Sequence, residues 1–272
     1  MSSVPYAEVI GDPIAQSKSP TIHKFWLEKL GLPGDYRARR VAADDLFDFF
    51  EQRRREPDWR GCNVTIPHKL SALDLSDRRD DLADSIGASN CIVRGDDGLL
   101  TATNTDSDGF AEPIAGMDFC GREVAVIGAG GAARAVLMSL ARREVGFVRI
   151  HARDRVRAGE LLEHFGLPGE PVPFDAPLAS ATTLLVNSSP LGMIGQPALE
   201  IDLGPLGEGA VVYDLVYNPL ETLLLAEARR RGLCAIDGLG MLIGQAAIAF
   251  AEFFESPAPR EHDAELRKLL TS

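Results

Sequence analysis

Cysteine is scarce in this chain, four among 272 residues, and the four stand far apart. Cys62, Cys91, Cys120 and Cys234 form no CxxC pair and have no pair of histidines beside them. That argues against a zinc site and against a disulfide scaffold, and no metal is expected. Positive charge is in deficit as well: 28 Lys and Arg stand against 40 Asp and Glu, a net charge of −12. A general nucleic-acid binder or a protein held on an anionic membrane needs a positive field, so neither partner is expected. A local basic cluster can still overrule the total for a small anionic ligand. No uninterrupted apolar run reaches the roughly 18 residues that a membrane span needs. The N-terminal stretch MSSVPYAEVIGDP lacks a basic start followed by an apolar run, so no secretory leader and a cytoplasmic location are expected. Internal repeats and low-complexity linkers are missing too. What is present is a 45% apolar composition, enough for a sizeable core and too much for wholesale disorder. The length fits one large domain or two medium ones, at about 100–200 residues each.

The first hundred residues alternate short strand-like and helix-like stretches. Ala7–Gly11, Tyr36–Val41 and Cys62–Ile66 read as strands, the last stopped by Pro67. Ser19-Pro20 opens a helix with Ile22, Phe25, Trp26 and Leu30 on one face, and Asp44 is expected to cap a second one carrying Leu46, Phe47, Phe49 and Phe50. Asp80–Ile86 reads as helical. Ala88–Arg94 and Leu99–Asn104 flank Gly95-Asp96-Asp97-Gly98, a hairpin signal. From Asp106 onward the pattern changes to continuous apolar runs: Glu123–Ile127, Phe147–Ile150, Thr183–Asn187, Ala210–Asp214 and Leu233–Ile236. Helices are expected over Ala132–Ala141, from an Asn218/Glu221 capping box through Arg231, and over Met241–Phe254. Such alternation predicts parallel sheets and an α/β class, with a boundary near Asn104–Asp106.

Val124-Ala125-Val126-Ile127 runs directly into Gly128-Ala129-Gly130-Gly131-Ala132-Ala133-Arg134-Ala135. A glycine loop between a strand and a helix lets backbone N–H groups approach a pyrophosphate at the helix's positive end. Gly128 permits the tight turn, Gly130 the close approach, and Ala133 stands at the third glycine position of GxGxxG. An acidic residue about 20 positions on would bind the 2′-hydroxyl of NAD. Instead the strand Phe147–Ile150 ends in His151-Ala152-Arg153-Asp154-Arg155-Val156-Arg157. Those arginines suit a 2′-phosphate and hence NADP, or else form a solvated helix start that Asp154 caps.

In the first half, Gly61-Cys62-Asn63-Val64-Thr65-Ile66-Pro67-His68-Lys69 gathers Asn, Thr and Lys around a strand end, and Asn90 and Asn104-Thr105-Asp106 follow. A lysine beside a carboxylate can relay a proton to or from an alcohol or ketone. Taken alone, Lys69 reads more readily as a surface ammonium and Asp106 as a helix N-cap. Ser19 fits an N-cap, while Ser17 and Ser19 together at a helix start also make a seat for a carboxylate.

Taken in order, these blocks resemble the shikimate dehydrogenase family: Gln16-Ser17-Lys18-Ser19-Pro20 with His23, Asn63 to Lys69, Gly87-Ala88-Ser89-Asn90, Asn104-Thr105-Asp106, the Gly128–Ala135 loop, Asn187-Ser188-Ser189-Pro190-Leu191-Gly192-Met193, and Asp237-Gly238-Leu239-Gly240-Met241 with Gln245. The likeness runs from residue 9 to about 254. It implies reversible, NADP-dependent reduction of 3-dehydroshikimate to shikimate, a step in chorismate and aromatic amino-acid biosynthesis. It also implies two α/β domains with the active site in a cleft between them: residues 1–104 with 238–272 binding substrate, and a Rossmann-like NADP domain over 105–237. By the same resemblance, Lys69 is the catalytic acid/base paired with Asp106, and Ser17 and Ser19 hold the substrate carboxylate. Thr65, Asn90, Asp106 and Gln245 bind ring hydroxyls, and Tyr217 touches substrate. Gly128, Ala129, Gly130, Gly131 and Ala132 take the pyrophosphate, Arg153 and Arg157 the 2′-phosphate, and Leu215 and Gly238 lie by the nicotinamide. Gln245 has another reading, since it shares a helical face with Ala249 and Glu252 opposite the bulky residues and would there face water.

The chain departs from the family pattern at Lys24, Cys91 and Ser188-Ser189, and around Arg153 at Ala152 and Asp154; only the last two bear on cofactor choice. The competing readings are an NAD-dependent quinate/shikimate paralogue and a catalytically silent dinucleotide- or shikimate-binding module. The Lys69–Asp106 pair argues against the latter, because a binder needs no proton relay. Shikimate and its 3-dehydro form are the expected small-molecule partners, with a homodimer as an open assembly state.

Overall fold

The computed structural model describes residues 4–271; residues 1–3, the start of the stretch without a leader pattern, and residue 272 lie outside the described residues. It holds two six-stranded sheets. The chain divides after Asp106 and again after Leu242, giving one unit from the N-terminal part with the segment from Ile243 onward, and a second unit over Ser107–Leu242. The change of sequence pattern suggests the first crossing near Asn104–Asp106, and the family resemblance implies crossings at 104/105 and 237/238.

The first sheet comprises β1 (Tyr6–Gly11), β2 (Asp35–Arg40), β3 (Trp59–Val64), β4 (Arg78–Arg79), β5 (Cys91–Arg94) and β6 (Leu100–Thr103), in the order β2-β1-β3-β5-β6-β4. Alternate residues of β1 serve opposite faces, as the two-residue period of a strand requires. Tyr6 and Ile10 pack with Leu46, Phe49, Phe50 and Trp59, while Ala7 and Val9 pack with Tyr36, Ala249 and Phe253. The expectation of a parallel sheet fails here: β5 is antiparallel to both β3 and β6. The five residues between β5 and β6 can close a hairpin but cannot make the crossover that parallel strands need.

The second sheet is parallel throughout: β7 (Glu123–Ile127), β8 (Phe147–Ala152), β9 (Gly169–Pro173), β10 (Thr182–Asn187), β11 (Val211–Asp214) and β12 (Cys234–Ile236), ordered β12-β11-β10-β7-β8-β9. β7 is covered on both faces, which explains its unbroken apolar run. Val124 and Val126 pack on the side of Val136, Leu137 and Leu161, and Ala125 and Ile127 on the side of Leu224, Leu225 and Ala228. β9 carries Pro171 and Pro173 and escaped the sequence pattern. It is an edge strand, where a missing N–H is tolerated.

Two expected caps are corrected. Asp44 lies inside a short 3₁₀ turn, Ala43–Asp45, and caps nothing; the helix Leu46–Arg53 follows with no side-chain cap. The Asn218/Glu221 capping box does not form either. The helix Leu223–Arg230 is capped by Thr222, whose side chain accepts from Leu225 N. Among the described residues no helix is long and apolar enough to cross a membrane, and no group of three or more His, Cys, Asp or Glu is placed to hold a metal ion.

Candidate active site

The topology of the first sheet gathers the polar motifs at one edge. β1 and β3 are parallel, and two successive antiparallel pairings turn β6 to run with them. The carboxyl ends of β1, β3 and β6 therefore share an edge, and Asn90, just before the oppositely directed β5, lies there too. Ligands of open α/β sheets favour that edge.

At its centre Lys69 Nζ is hydrogen-bonded and ion-paired to Asp106 Oδ2. Neither is flush with solvent: the lysine side chain is 14% exposed and the aspartate 8%. The second oxygen, Asp106 Oδ1, accepts from Asn90 Nδ2 at 2.9 Å. Asn90 Nδ2 also donates to Thr105 Oγ1 at 2.9 Å and, more distantly, to Gln245 Oε1 at 3.4 Å. Thr105 Oγ1 donates to the same Gln245 oxygen at 3.4 Å. Asn90 Oδ1 accepts from Thr105 N at 2.7 Å, so this one amide fixes both sides of the turn that delivers Asp106. The backbone is pinned as well. Ser89 N donates to Lys69 O, and Asn104 bridges Ala88 O to Asp106 N. Gln245 and Ala249 are buried, so the water-facing reading fails for Gln245; of that face only Glu252, further along, is exposed.

Behind Asn90 stands a second layer. Tyr36 OH donates to Asn63 Oδ1 at 2.6 Å, and Asn63 Nδ2 donates to Asn90 O at 3.4 Å. His23 lies flat on Tyr36, with ring centroids 3.9 Å apart and planes 6° from parallel. Burial pushes the Tyr36 hydroxyl well above its ordinary pKa, keeping it a neutral donor.

Ser17 and Ser19 open the helix Ser19–Leu30 after β1, but Ser19 is not its cap. Ser19 is the first helical residue, and its N–H donates to Ser17 Oγ at 3.3 Å. The Ser17 hydroxyl keeps its own proton to donate, and Ser19 is buried beside it. Thr65 follows β3, with its N–H donating to Ile10 O. Its methyl lies so near Gly11 that a Cβ there would come within 2.5 Å.

In the second unit, Gly128 takes φ +100° between β7 and the helix Gly131–Arg142, the left-handed turn that glycine permits. No protein atom lies within 4 Å of where a Cβ on Gly130 would sit, so glycine there leaves room for a ligand. Arg153 is exposed and Arg157 half-buried. Asp154 turns its carboxylate to the backbone, where Oδ1 accepts from Arg157 N at 3.0 Å as an N-cap. Arg134, on the helix after the glycine loop, has its guanidinium pKa lowered by burial and then by the charge of Arg157. Like charges held together beside an open glycine loop fit the phosphates of a dinucleotide. Leu215 and Gly238 are neighbours: a Cβ on Gly238 would lie 2.2 Å from Leu215 O. Tyr217 is half-buried, which raises its pKa; it belongs to this unit and is not among the groups gathered around Lys69.

A profile of the shikimate dehydrogenase substrate binding domain matches residues 9–92. The NADP(+) shikimate dehydrogenase of Sphingopyxis alaskensis is 57% identical over 98% of this chain and 97% of its own length. The chain belongs to the shikimate dehydrogenase family. Among solved members, shikimate 5-dehydrogenase of Thermus thermophilus in complex with NADP(H) and shikimate superposes with a TM-score of 0.87 at 35% identity, covering 98% of this chain and 99% of that one. Quinate dehydrogenase of Corynebacterium glutamicum in complex with NAD gives 0.86 at 27% identity, covering 98% and 99%. Against the family motifs, the sequence reading left several contributors without roles. Thr105 and Asn104 sat inside a quoted block, Tyr36 and Asn63 inside strands, and Arg134 inside a helix. Arg134 carries a local signal, a cation one turn beyond a glycine loop, and Asn63, Asn104 and Thr105 sit in polar stretches at strand ends, whereas Tyr36 carries none.

Proposed function

We propose that the chain is an NADP-dependent shikimate dehydrogenase that reversibly reduces 3-dehydroshikimate to shikimate. The observation that carries this reading is the Lys69–Asp106 pair, held at a sheet edge by Asn90, Thr105 and Gln245. When bound, NADPH is the hydride donor to the C3 carbonyl. Charge then builds on the carbonyl oxygen, and Lys69 Nζ gives that oxygen its proton; in the oxidative direction the amine takes it back. Asp106 holds Nζ in place through Oδ2, while Asn90 holds Asp106 through Oδ1. Positioned general acid catalysis of this kind is worth roughly 10²–10⁴-fold. Ser17 and Ser19 donate hydroxyl protons to the substrate carboxylate at the positive end of a helix. Thr65, Asn90 and Gln245 meet the ring hydroxyls, and Tyr217 touches the substrate. Gly128 to Ala132 take the pyrophosphate, with Leu215 and Gly238 by the nicotinamide.

NADP is favoured over NAD because Arg153 and Arg157 occupy the place where an NAD enzyme carries an acid. Asp154 at about 6 Å would repel a phosphate charge by roughly 3 kcal/mol at an effective dielectric near 20, if it pointed inward. Its carboxylate is spent on capping Arg157 N instead.

The test is the absorbance of reduced nicotinamide formed by purified protein from shikimate with NADP+ or NAD+. A kcat/KM at least about ten-fold higher with NADP+ is expected, from two charge-assisted contacts at about 1.5–3 kcal/mol each. Equal or better turnover with NAD+ would favour the quinate/shikimate paralogue. Absence of turnover with both would leave only a binding module.

A further inference from the structure

The second unit buries a carboxylate to which neither the glycine loop nor the proton relay gives a role. Asp214 ends β11 and is fully buried. Its Oδ1 accepts from Asn187 Nδ2 at 2.9 Å and from Val216 N at 3.1 Å, and its Oδ2 accepts from Thr222 Oγ1 at 2.7 Å. Each partner reaches further. Asn187, at the end of β10, donates to Leu191 O at 3.0 Å, and its Oδ1 accepts from Ser189 N and Oγ at 3.1 and 2.7 Å. Thr222 Oγ1 accepts from Leu225 N at 3.2 Å and so starts the next helix. One side chain thus joins the segment after β10, the segment after β11 and the helix that follows.

Both segments lean on the dinucleotide-binding elements. Ser188 donates through N and Oγ to Ile127 O, at 3.0 and 2.7 Å, and a Cβ on Gly128 would touch Ser188 and Ser189. Gly238 N donates to Val216 O at 3.2 Å, with Leu215 O packed against its α-carbon. Burial raises the Asp214 pKa, so the carboxylate is kept at a cost. A side chain of this size offers acceptors on both terminal atoms only as Asp, and three donors converge here. An asparagine would set its N–H groups either against the two N–H donors at Oδ1 or against the Thr222 hydroxyl, which already accepts from Leu225 N, so at least one of the three bonds is lost in either orientation.

We propose that Asp214 is a positioning residue for the nicotinamide half of the cofactor, acting through Asn187, Thr222 and Val216 N to fix the Ser188–Gly192 and Leu215–Val216 segments. The inference rests on the NADP reading above.

The experiment is calorimetric titration of the wild type and of Asp214→Asn with two probes, NADP+ and adenosine 2′,5′-bisphosphate, which lacks the nicotinamide, alongside shikimate turnover. In Asp214→Asn, NADP+ binding should weaken about ten-fold while the bisphosphate binds within about two-fold of wild type. Turnover should fall by up to about 10²-fold, as expected for a misplaced reacting group. Thr222→Ser, which keeps the hydroxyl, should match wild type with both probes. If Asp214→Asn does not fold, Thr222→Val carries the same comparison, with the same selective loss expected. Equal weakening toward both probes, or no change toward either, overturns the proposal. A wild type that binds the bisphosphate and NADP+ equally well overturns it also, since the nicotinamide half then contributes nothing. A wild type that binds neither probe overturns the NADP reading itself and the inference with it.

Discussion

His23 should make the protein acid-labile well above the pH at which carboxylates titrate. It is fully buried among Trp26, Tyr36, Phe250 and Phe253, and neither ring nitrogen has a hydrogen-bond partner among the described residues. Burial alone pushes its pKa from 6.5 down to about 3. The unfolded chain then binds a proton that the folded chain refuses, so stability rises with pH wherever that difference persists. The contribution is complete above 6.5 and drains away as pH falls toward 3. Between about pH 7.5 and pH 5 the loss amounts to roughly 2 kcal/mol, approaching 1.4 kcal/mol per unit at the lower end. His151, whose pKa is lowered first by burial and then by Arg149, adds in the same direction. The carboxylates held low by partners, such as Asp12 beside Arg40 and Glu265 beside Lys29, lose their contributions only in stronger acid. His23→Phe keeps a flat ring on Tyr36 and removes the titration without breaking a hydrogen bond. Urea unfolding of both proteins across this range should show wild type losing about 2 kcal/mol relative to His23→Phe between about pH 7.5 and pH 5, whatever their difference at the upper end. Parallel curves would refute the reasoning, because His23 would then titrate alike in the folded and unfolded chains.

Lys69→Ala should lower kcat by roughly 10²–10⁴-fold with a much smaller change in shikimate KM; a raised KM at near-normal kcat would remove the acid/base role. Ser17→Ala should raise shikimate KM about ten-fold or more through a lost bond to an anion, with NADP+ binding by calorimetry unmoved. Ser19→Ala should raise it similarly without the melting-point loss of a missing cap, since Ser19 caps nothing. Arg153→Ala should erase most of the preference for NADP over NAD, and added salt should weaken NADP+ binding more than NAD+ binding because the extra contacts are ionic; identical salt slopes would argue against a phosphate seat there.

What the sequence disclosed was local. The glycine loop, the strand entering it and the helix leaving it are contiguous, so their geometry follows from adjacent residues, and the Asp154 cap is a three-residue signal that the structure realises. The hairpin around Gly95–Gly98 is legible for the same reason, whereas the mixed pairing of the whole sheet depends on which strands β5 and β6 join and is not a local signal. Ser-Pro at positions 19–20 looked like a cap followed by its first-turn proline. The helix instead begins one residue earlier, and Ser17 receives the N–H. A helical wheel puts Gln245 opposite the bulky residues, yet Ala249 on the same face is fully buried and only Glu252 there is exposed, so packing reaches round to Gln245. Asp214, Asn187 and Thr222 were invisible as a set, because each ends or starts a different element and only the sheet order makes them neighbours.

The distances around Asn90 also separate scaffolding from contacts that can be exchanged. The bonds from its amide to Asp106 and Thr105 are 2.9 Å, and Thr105 N reaches back at 2.7 Å, all within the range of well-formed bonds. The two that end on Gln245 Oε1 are 3.4 Å, at the weak limit. Gln245 arrives from the far end of the chain, after the second unit has been traversed. It meets the cluster through these long bonds, not as part of the turn that holds Asp106. Under the proposed reading, a substrate hydroxyl entering beside Gln245 would displace two poor bonds and leave the support of the Lys69–Asp106 pair intact. Recognition would then tighten at Gln245 while the proposed proton relay kept its geometry, which is the separation that a reaction binding one ring in two oxidation states requires.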